Sequence, residues 1–262
     1  MLFRSLLPGT FHVRKFPKTR PPVTLVICTD NRSADVIGRG YINYVKNFLE
    51  SIFRLTTYPD FRIVLAANGF LDFDPKVDFG KHDNLKIIQY QEPPGKFNYA
   101  RKINWALSHL ETEYFVMLND DMEVKSSAWL DYLMDQIQDP SIGVVGAQLL
   151  HAEGTIQHAG IVITPDSHTR HMHHGKPVEF TGYNGFSKIL RNFSAVTGAC
   201  LASKASIYRE LRGFDEQFAI DFNDIDYCLR VSEAGLRVVY HPYSLLYHFE
   251  SSTVQRTSYN PT

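Results

Sequence analysis

The first patterned run follows Pro21 and Pro22, where VTLVIC (23–28) is continuously apolar and β-branched, which predicts a strand buried on both faces of a parallel sheet. Ile42, Val45, Phe48, Leu49, Ile52 and Phe53 then recur at helical spacing over 42–53. RIVLAA (62–67) predicts a second buried strand that stops at Asn68-Gly69, completing a βαβ unit. LKIIQY (85–90) reads as a third strand, and Ile103, Ala106, Leu107 and Leu110 share one face of a helix within 98–110. YFVML (114–118) is a further buried strand, followed by a helix over 128–137 carrying Leu130, Leu133, Met134 and Ile137. Beyond it strands are expected near 142–149, 155–163 and 193–202, with a probe of helical spacing again at Ile225, Cys228, Leu229 and Leu236, and a last strand at SLLY. The order is β/α alternation first and a mixed sheet second, so the fold class is α/β.

Composition narrows the setting. The chain has 262 residues, 44% hydrophobic, enough for one large domain or two joined halves. Its 27 basic and 28 acidic residues nearly cancel, which gives no general nucleic-acid partner and leaves substrate choice to local sites. Cys28, Cys200 and Cys228 lie in or beside apolar runs, as small buried hydrophobes do in a reducing compartment, so a cytoplasmic location is expected. No run of about 18 apolar residues is present for a spanning helix. Residues 1–22 are a basic extension with Arg4, Arg14, Lys15, Lys18 and Arg20, read as a solvated or partner-packing arm or as a peripheral contact with an anionic inner membrane face. Residues 23–262 then form the domain.

Four clusters carry candidate chemistry. Asn119-Asp120-Asp121-Met122-Glu123 comes directly off a buried strand, and carboxylates crowded there repel one another unless a divalent cation such as Mn2+ or Mg2+ offsets the charge. The same acids would also serve an ordinary polar turn. Asp221, Asp224 and Asp226 crowd the start of a helix, where they can cap it or supply a general base. His248 follows SLLY in Tyr247-His248-Phe249-Glu250, as a packing residue or as a nitrogen ligand suited to Mn2+. His168, His171, His173 and His174 lack the spacing of a zinc motif and read as a loop over the site.

Taken in order, VTLVICTDNR, PPGKFNYARKIN, MLNDDMEV, IGVVGAQLL with GTIQHAG, SAVTGACLASKASIYRELRGFDE and FNDIDYCLRVSEAGLRVVYHPYSLLYHFES resemble glycosyltransferase family 2, especially its bacterial O-antigen, capsule and rhamnosyl-type members, over about residues 23–253. The resemblance implies the GT-A fold, with a Rossmann-like nucleotide-binding half (23–123) and a mixed-sheet acceptor half (124–262). It implies an inverting, metal-dependent enzyme of polysaccharide synthesis that uses a UDP or dTDP sugar and a saccharide acceptor, lipid-linked in some relatives. Asp121 inherits the metal role with His248, and Asn119 stands where the family has its first aspartate, which leaves Asp120 or Glu123 to help. Asp224 matches the catalytic base, Asp226 a supporting acid. Thr29, Asn31, Arg32, Asn68, Lys96, Asn98, Arg101, Asn119, Asp120 and Gly198 are expected on the nucleotide-sugar side. Asp226, His173 and His174 are expected on the acceptor side. Ala67 occupies the place where many members carry a base-binding aspartate. Many members continue beyond the place where this chain stops, soon after His248, so an acceptor-side helix or a partner subunit is expected to complete the site.

Three other classes compete. A catalytically impaired binding relative is suggested by Asn119 and Ala67. A sugar-1-phosphate nucleotidyltransferase would need dense glycines where TDNRSADVIGRG stands, and a His-cluster hydrolase would need tightly held zinc.

Overall fold

The computed structural model describes residues 2–4, 12–14, 19–80, 82–166 and 168–249. The Arg4, Arg14, Lys15 and Lys18 side chains of the basic extension, and Glu250, lie outside them. Arg20 is described, and its guanidinium pairs with Asp131 and lies over the Tyr58 ring, which seats it on the domain.

A ten-stranded mixed sheet organises the fold. Its first half is parallel: β1 (Val23–Thr29), fully buried, lies between β4 (Phe61–Ala67) and β6 (Tyr114–Asn119), and β5 (Leu85–Gln89) extends the edge beyond β4. The chain leaves β1 toward β4 and β5, then returns to the other side of β1 as β6. That reversal makes the carboxyl ends of β1 and β6 a switch point, the crevice where open α/β sheets bind ligands. The second half adds β13 (Cys200–Lys204) antiparallel to β6, β8 (Ile142–Leu150) antiparallel to β13, and β14 (Arg237–His248) parallel to β8.

Helices α1 (Tyr44–Leu55) and α3 (Trp129–Ile137) cover one face, burying Val45, Phe48, Trp129 and Leu133 among the strand side chains. On the opposite face, α2 (Tyr99–Leu107), α4 (Ala205–Glu210) and α5 (Asn223–Glu233) bury Ile103, Ile207, Tyr227 and Cys228. Trp129 is thus a core residue, its indole Nε1 donating to Thr56 Oγ1 at 3.0 Å.

Several boundaries differ from expectation. The helix expected from residue 42 starts at Tyr44, because Ile42 pairs with Ala34 in a hairpin of β2 (Ser33–Val36) and β3 (Gly40–Asn43). Gly38 and Gly40, at φ +74° and +76°, let the chain reverse there, and Asn43 then caps α1 through the Lys46 N–H. The strand expected over 155–163 is broken into β9 (Ile156–His158) and β10 (Ile161–Ile163) by Gly160 at φ +97°, where Phe193 packs so closely that a Cβ would fall 2.4 Å from its ring. β10 pairs instead with β11 (Thr169–His171). The strand expected over 193–202 is a short β12 (Arg191–Asn192), a loop through Gly198, and β13. Leu229 is 38% exposed on α5, whereas Tyr227, Cys228 and Val231 face the core. Met122–Val124 forms β7, paired antiparallel with the end of β14.

Candidate active site

Thr29 ends β1 beside Ala67 on β4, and its hydroxyl donates to Asp120 Oδ2 at 2.6 Å while accepting the Asn31 N–H at 2.9 Å. Asn31 adopts φ +54°, turning the chain sharply off the strand. Asp120 is 5% exposed; burial and the neighbouring Asp121 charge push its carboxyl up to about 6, opposed by the Thr29 hydrogen bond and the nearby Arg32 cation. The carboxyl ends of β1 and β6 therefore hold a paired acidic centre.

Asp121 and His248 come from distant parts of the chain. β14 runs antiparallel to β7, with His248 opposite Met122, which brings His248 Nε2 to 3.1 Å from Asp121 Oδ1. Asn119 Nδ2 lies 3.2 Å from the same nitrogen, and Tyr99 donates its phenol proton to Asn119 Oδ1 at 3.2 Å. On the other edge of the ring, His248 Nδ1 is 2.6 Å from Gln157 Oε1. The Gln157 amide nitrogen donates to the His248 carbonyl at 3.4 Å, so its oxygen faces the ring and can only accept. Nδ1 must then carry a proton. In the neutral ring, Nε2 presents its lone pair toward the Asp121 carboxylate, an arrangement that becomes attractive once the ring is protonated or a cation joins the two.

Among the described residues no three His, Cys, Asp or Glu side chains converge as a metal-holding group. A cation shared with substrate phosphates needs only one or two protein carboxylates, however, and the oxygen and nitrogen pair of Asp121 and His248 suits Mn2+ or Mg2+ in that role. Glu123 is turned away: Arg39 grips it through two hydrogen bonds, 3.0 and 3.2 Å, and lies over the Tyr247 ring.

Asp224 enters from the opposite face, in the first turn of α5. Its Oδ2 accepts the Gly198 N–H at 2.6 Å and its Oδ1 the Ile225 N–H at 2.8 Å. Burial raises its pKa even though those hydrogen bonds oppose the shift. The preceding Phe222 sits at φ +67° with 53% exposure, a costly conformation for a bulky residue. Burial raises the Tyr99 phenol pKa most, and Asp120, Asp121 and Asp224 each add to the rise, so the two acidic groups share one neighbourhood.

The remaining expected residues divide. Asn68 closes β4, its N–H donating to the Thr29 carbonyl at 3.2 Å. Arg32 lies close enough to Asp120 to lower its pKa. Asn98 caps α2, accepting the Arg101 N–H at 2.9 Å and donating to the Glu216 carbonyl at 2.8 Å, and Arg101 pairs with Glu216 at 3.0 Å. Lys96 is exposed. Asp226 pairs with Arg230 one turn later on the helix, at 2.7 Å. The histidines separate into pairs: His174 Nε2 is 3.2 Å from His151 Nε2, His171 Nδ1 is 3.2 Å from His158 Nδ1, and His173 packs on Phe180. Gln157 and Tyr99, which orient His248 and Asn119, escaped the sequence reading; nothing in their local pattern separates them from packing residues.

The profile of glycosyltransferase-like family 2 matches residues 21–260. An uncharacterized protein of Sinorhizobium fredii is 35% identical over 220 residues, 82% of this chain and 24% of the relative. The O-antigen biosynthesis protein RfbC of Myxococcus xanthus is 31% identical over 256 residues, 95% of this chain and 19% of the relative. The chain thus spans about a quarter or less of the length of these two curated relatives. Among solved structures, GalNAc-T7 with UDP, GalNAc and Mn2+ superposes with a TM-score of 0.66 at 13% identity, covering 91% of this chain and 47% of that one. The shared architecture is the GT-A fold.

Proposed function

The chain belongs to glycosyltransferase-like family 2, and from that premise we propose that it moves a sugar from a nucleotide-diphosphate donor to a saccharide hydroxyl in the building of a bacterial polysaccharide, with inversion at the anomeric carbon. The observation that carries this reading is the meeting of Asp121 and His248, 3.1 Å apart, at the switch point of the sheet. A carboxylate and an imidazole nitrogen at that distance can share a divalent cation carried in by the substrate.

Asp121 and His248 would hold the metal, with Asp120 beside them under the restraint of Thr29. A divalent cation held there would supply positive charge against the departing diphosphate. Asp224 accepts the proton of the acceptor hydroxyl as that oxygen bonds to the anomeric carbon and the bond from that carbon to the phosphate oxygen breaks. One displacement gives inversion. Gly198 leaves room beside Asp224, since a Cβ there would fall 2.6 Å from Met117 Cε and 3.2 Å from Asp224 Cβ. Backbone hydrogen bonds hold the Asp224 carboxylate in place, and its raised pKa makes it a stronger proton acceptor than an exposed aspartate.

Asn119, in the first position of the acidic motif, now donates to the His248 Nε2 lone pair, so its amide would give way when a cation takes that nitrogen. The acceptor is taken to be a carbohydrate, free or lipid-linked. Among the described residues no helix is long and apolar enough to cross a membrane. The test is a panel of UDP-, dTDP- and GDP-sugars incubated with saccharide acceptors and Mn2+, followed by the release of nucleoside diphosphate and by the anomeric configuration of the product. Release that requires acceptor and is stopped by EDTA, with an inverted product, is expected. A retained configuration, or no release from any donor, would contradict the reading.

A further inference from the structure

Lys102 lies in α2 with its side chain only 2% exposed, and its ammonium donates to the Thr29 carbonyl at 2.9 Å and to Asp30 Oδ1 at 2.8 Å. Removing an ammonium from water is costly unless good partners offset it. The Asn68 amide donates to the same Asp30 oxygen at 2.9 Å. Since a carboxylate can only accept, the amide nitrogen must face it, and Asn68 Oδ1 is thereby left buried with no hydrogen-bond partner. Such an orphaned acceptor is destabilising. Two unfavourable burials thus converge on holding one carboxylate oxygen.

Asp30 itself is 41% exposed. It follows Thr29, whose hydroxyl restrains Asp120, so it lies one residue along the chain from the centre assigned to the diphosphate. Thr29 turns toward β6 and Asp30 toward Asn68 at the end of β4, which places the two on either side of the β1 mouth. Alone, Asp30 would add another negative charge next to Asp120 and Asp121 and repel phosphate. Paired with Lys102 it is a nearly neutral, fixed acceptor. Such a group suits hydroxyl donors, and a nucleotide sugar carries two hydroxyl-bearing units on its diphosphate: the transferred sugar must meet Asp224 beside Gly198 on the β13 side, which leaves the ribose for Asp30 on the β4 side. A carboxylate receiving ribose hydroxyls at a strand end is a recurrent solution in parallel α/β sheets.

We propose that Asp30, positioned by Lys102 and Asn68, receives the ribose hydroxyls of the donor, and that the site therefore selects ribonucleotides over 2′-deoxyribonucleotides such as dTDP. The proposal rests on the nucleotide-sugar reading above. Calorimetry with Mn2+ would compare UDP, GDP, CDP and ADP, then the tightest binder with its 2′-deoxy and 3′-deoxy forms. Loss of a hydroxyl bonded to a carboxylate should weaken binding by about 10- to 100-fold. Asp30→Ala should lower affinity for the ribonucleotide and bring its ratio to the weaker deoxy form near one. Asp30→Asn retains an acceptor for Lys102 and Asn68, so a reduced ratio in this folded variant supports the proposal even if the alanine variant is unstable. An unchanged ratio in Asp30→Asn and Asp30→Ala, or an equal loss for ribo and deoxy forms, would overturn it while leaving the nucleotide-sugar reading intact. Absence of binding by every nucleotide would overturn both.

Discussion

Gln157 Oε1 stands 2.6 Å from His248 Nδ1, and this contact decides which edge of the imidazole faces Asp121. With the proton fixed on Nδ1, Nε2 is a lone-pair donor at 3.1 Å from the carboxylate. Orienting partners of this kind are worth about 10- to 100-fold in metal affinity. Gln157→Leu should therefore weaken Mn2+-dependent nucleotide binding by about that factor, measured by titrating Mn2+ at fixed nucleotide. Unchanged Mn2+ dependence would remove His248 from the proposed metal pair.

The Gly198 N–H donates to Asp224 Oδ2 at 2.6 Å, and the glycine has no room for a methyl group. Met117 Cε can swing away, but Asp224 Cβ is anchored by its helix. Gly198→Ala should cost about 1–3 kcal/mol of stability, as overpacking does, and displace the carboxylate. Turnover should fall by about 100-fold or more with a smaller change in nucleotide affinity. Equal losses in both would place Gly198 in binding rather than in positioning Asp224.

Burial raises the Asp224 pKa above the usual value near 3.8. A base works only when deprotonated, so kcat/KM should fall as pH drops through this raised value, giving an acid limb above the ordinary aspartate range. The pH profile of transfer measures it directly. An acid limb at or below pH 3.8 would assign the limiting proton acceptor elsewhere.

His158 is fully buried, and its pKa is held well below 6.5 by desolvation and by His171 and His248. Its Nε2 accepts the Gly160 and Thr197 N–H groups at 3.3 and 3.4 Å, so the neutral ring is the one that fits. The unfolded chain binds a proton near pH 6.5 that the folded chain refuses, so stability is complete above that pH and declines as pH falls below it. The slope contributed is at most about 1.4 kcal/mol per pH unit. Denaturant melts at pH 7.5 and 5.5 should show the loss, and His158→Gln should flatten it. A slope unaltered in the variant would assign the acid sensitivity to other groups.

The parallel half of the sheet was legible because β1, β4 and β6 are buried on both faces and appear as unbroken apolar runs, while α1 and α3 show one apolar face each. Residues 155–202 were not, because short strands there are set by glycine turns and by Phe193 filling the space at Gly160, which periodicity does not record. The acidic motif stood out as charge against a buried strand. Its partners did not: Gln157, Tyr99 and Lys102 reach their places through strand register and long side chains, and each resembles a neutral or solvated residue in its own segment. Asp30 was passed over between Thr29 and Asn31, and only the buried ammonium of Lys102 sets it apart.

The central claim is that Asp224 takes the acceptor proton in a glycosyl transfer. A single comparison tests it most directly: turnover and nucleotide affinity of the natural protein and of Asp224→Asn, on whichever donor and acceptor support transfer with Mn2+. Loss of a general base predicts a fall in kcat of about 10²- to 10⁴-fold, with nucleotide affinity held within about twofold because Asp224 lies outside the Asp121–His248 pair. Near-normal turnover by Asp224→Asn would contradict the account.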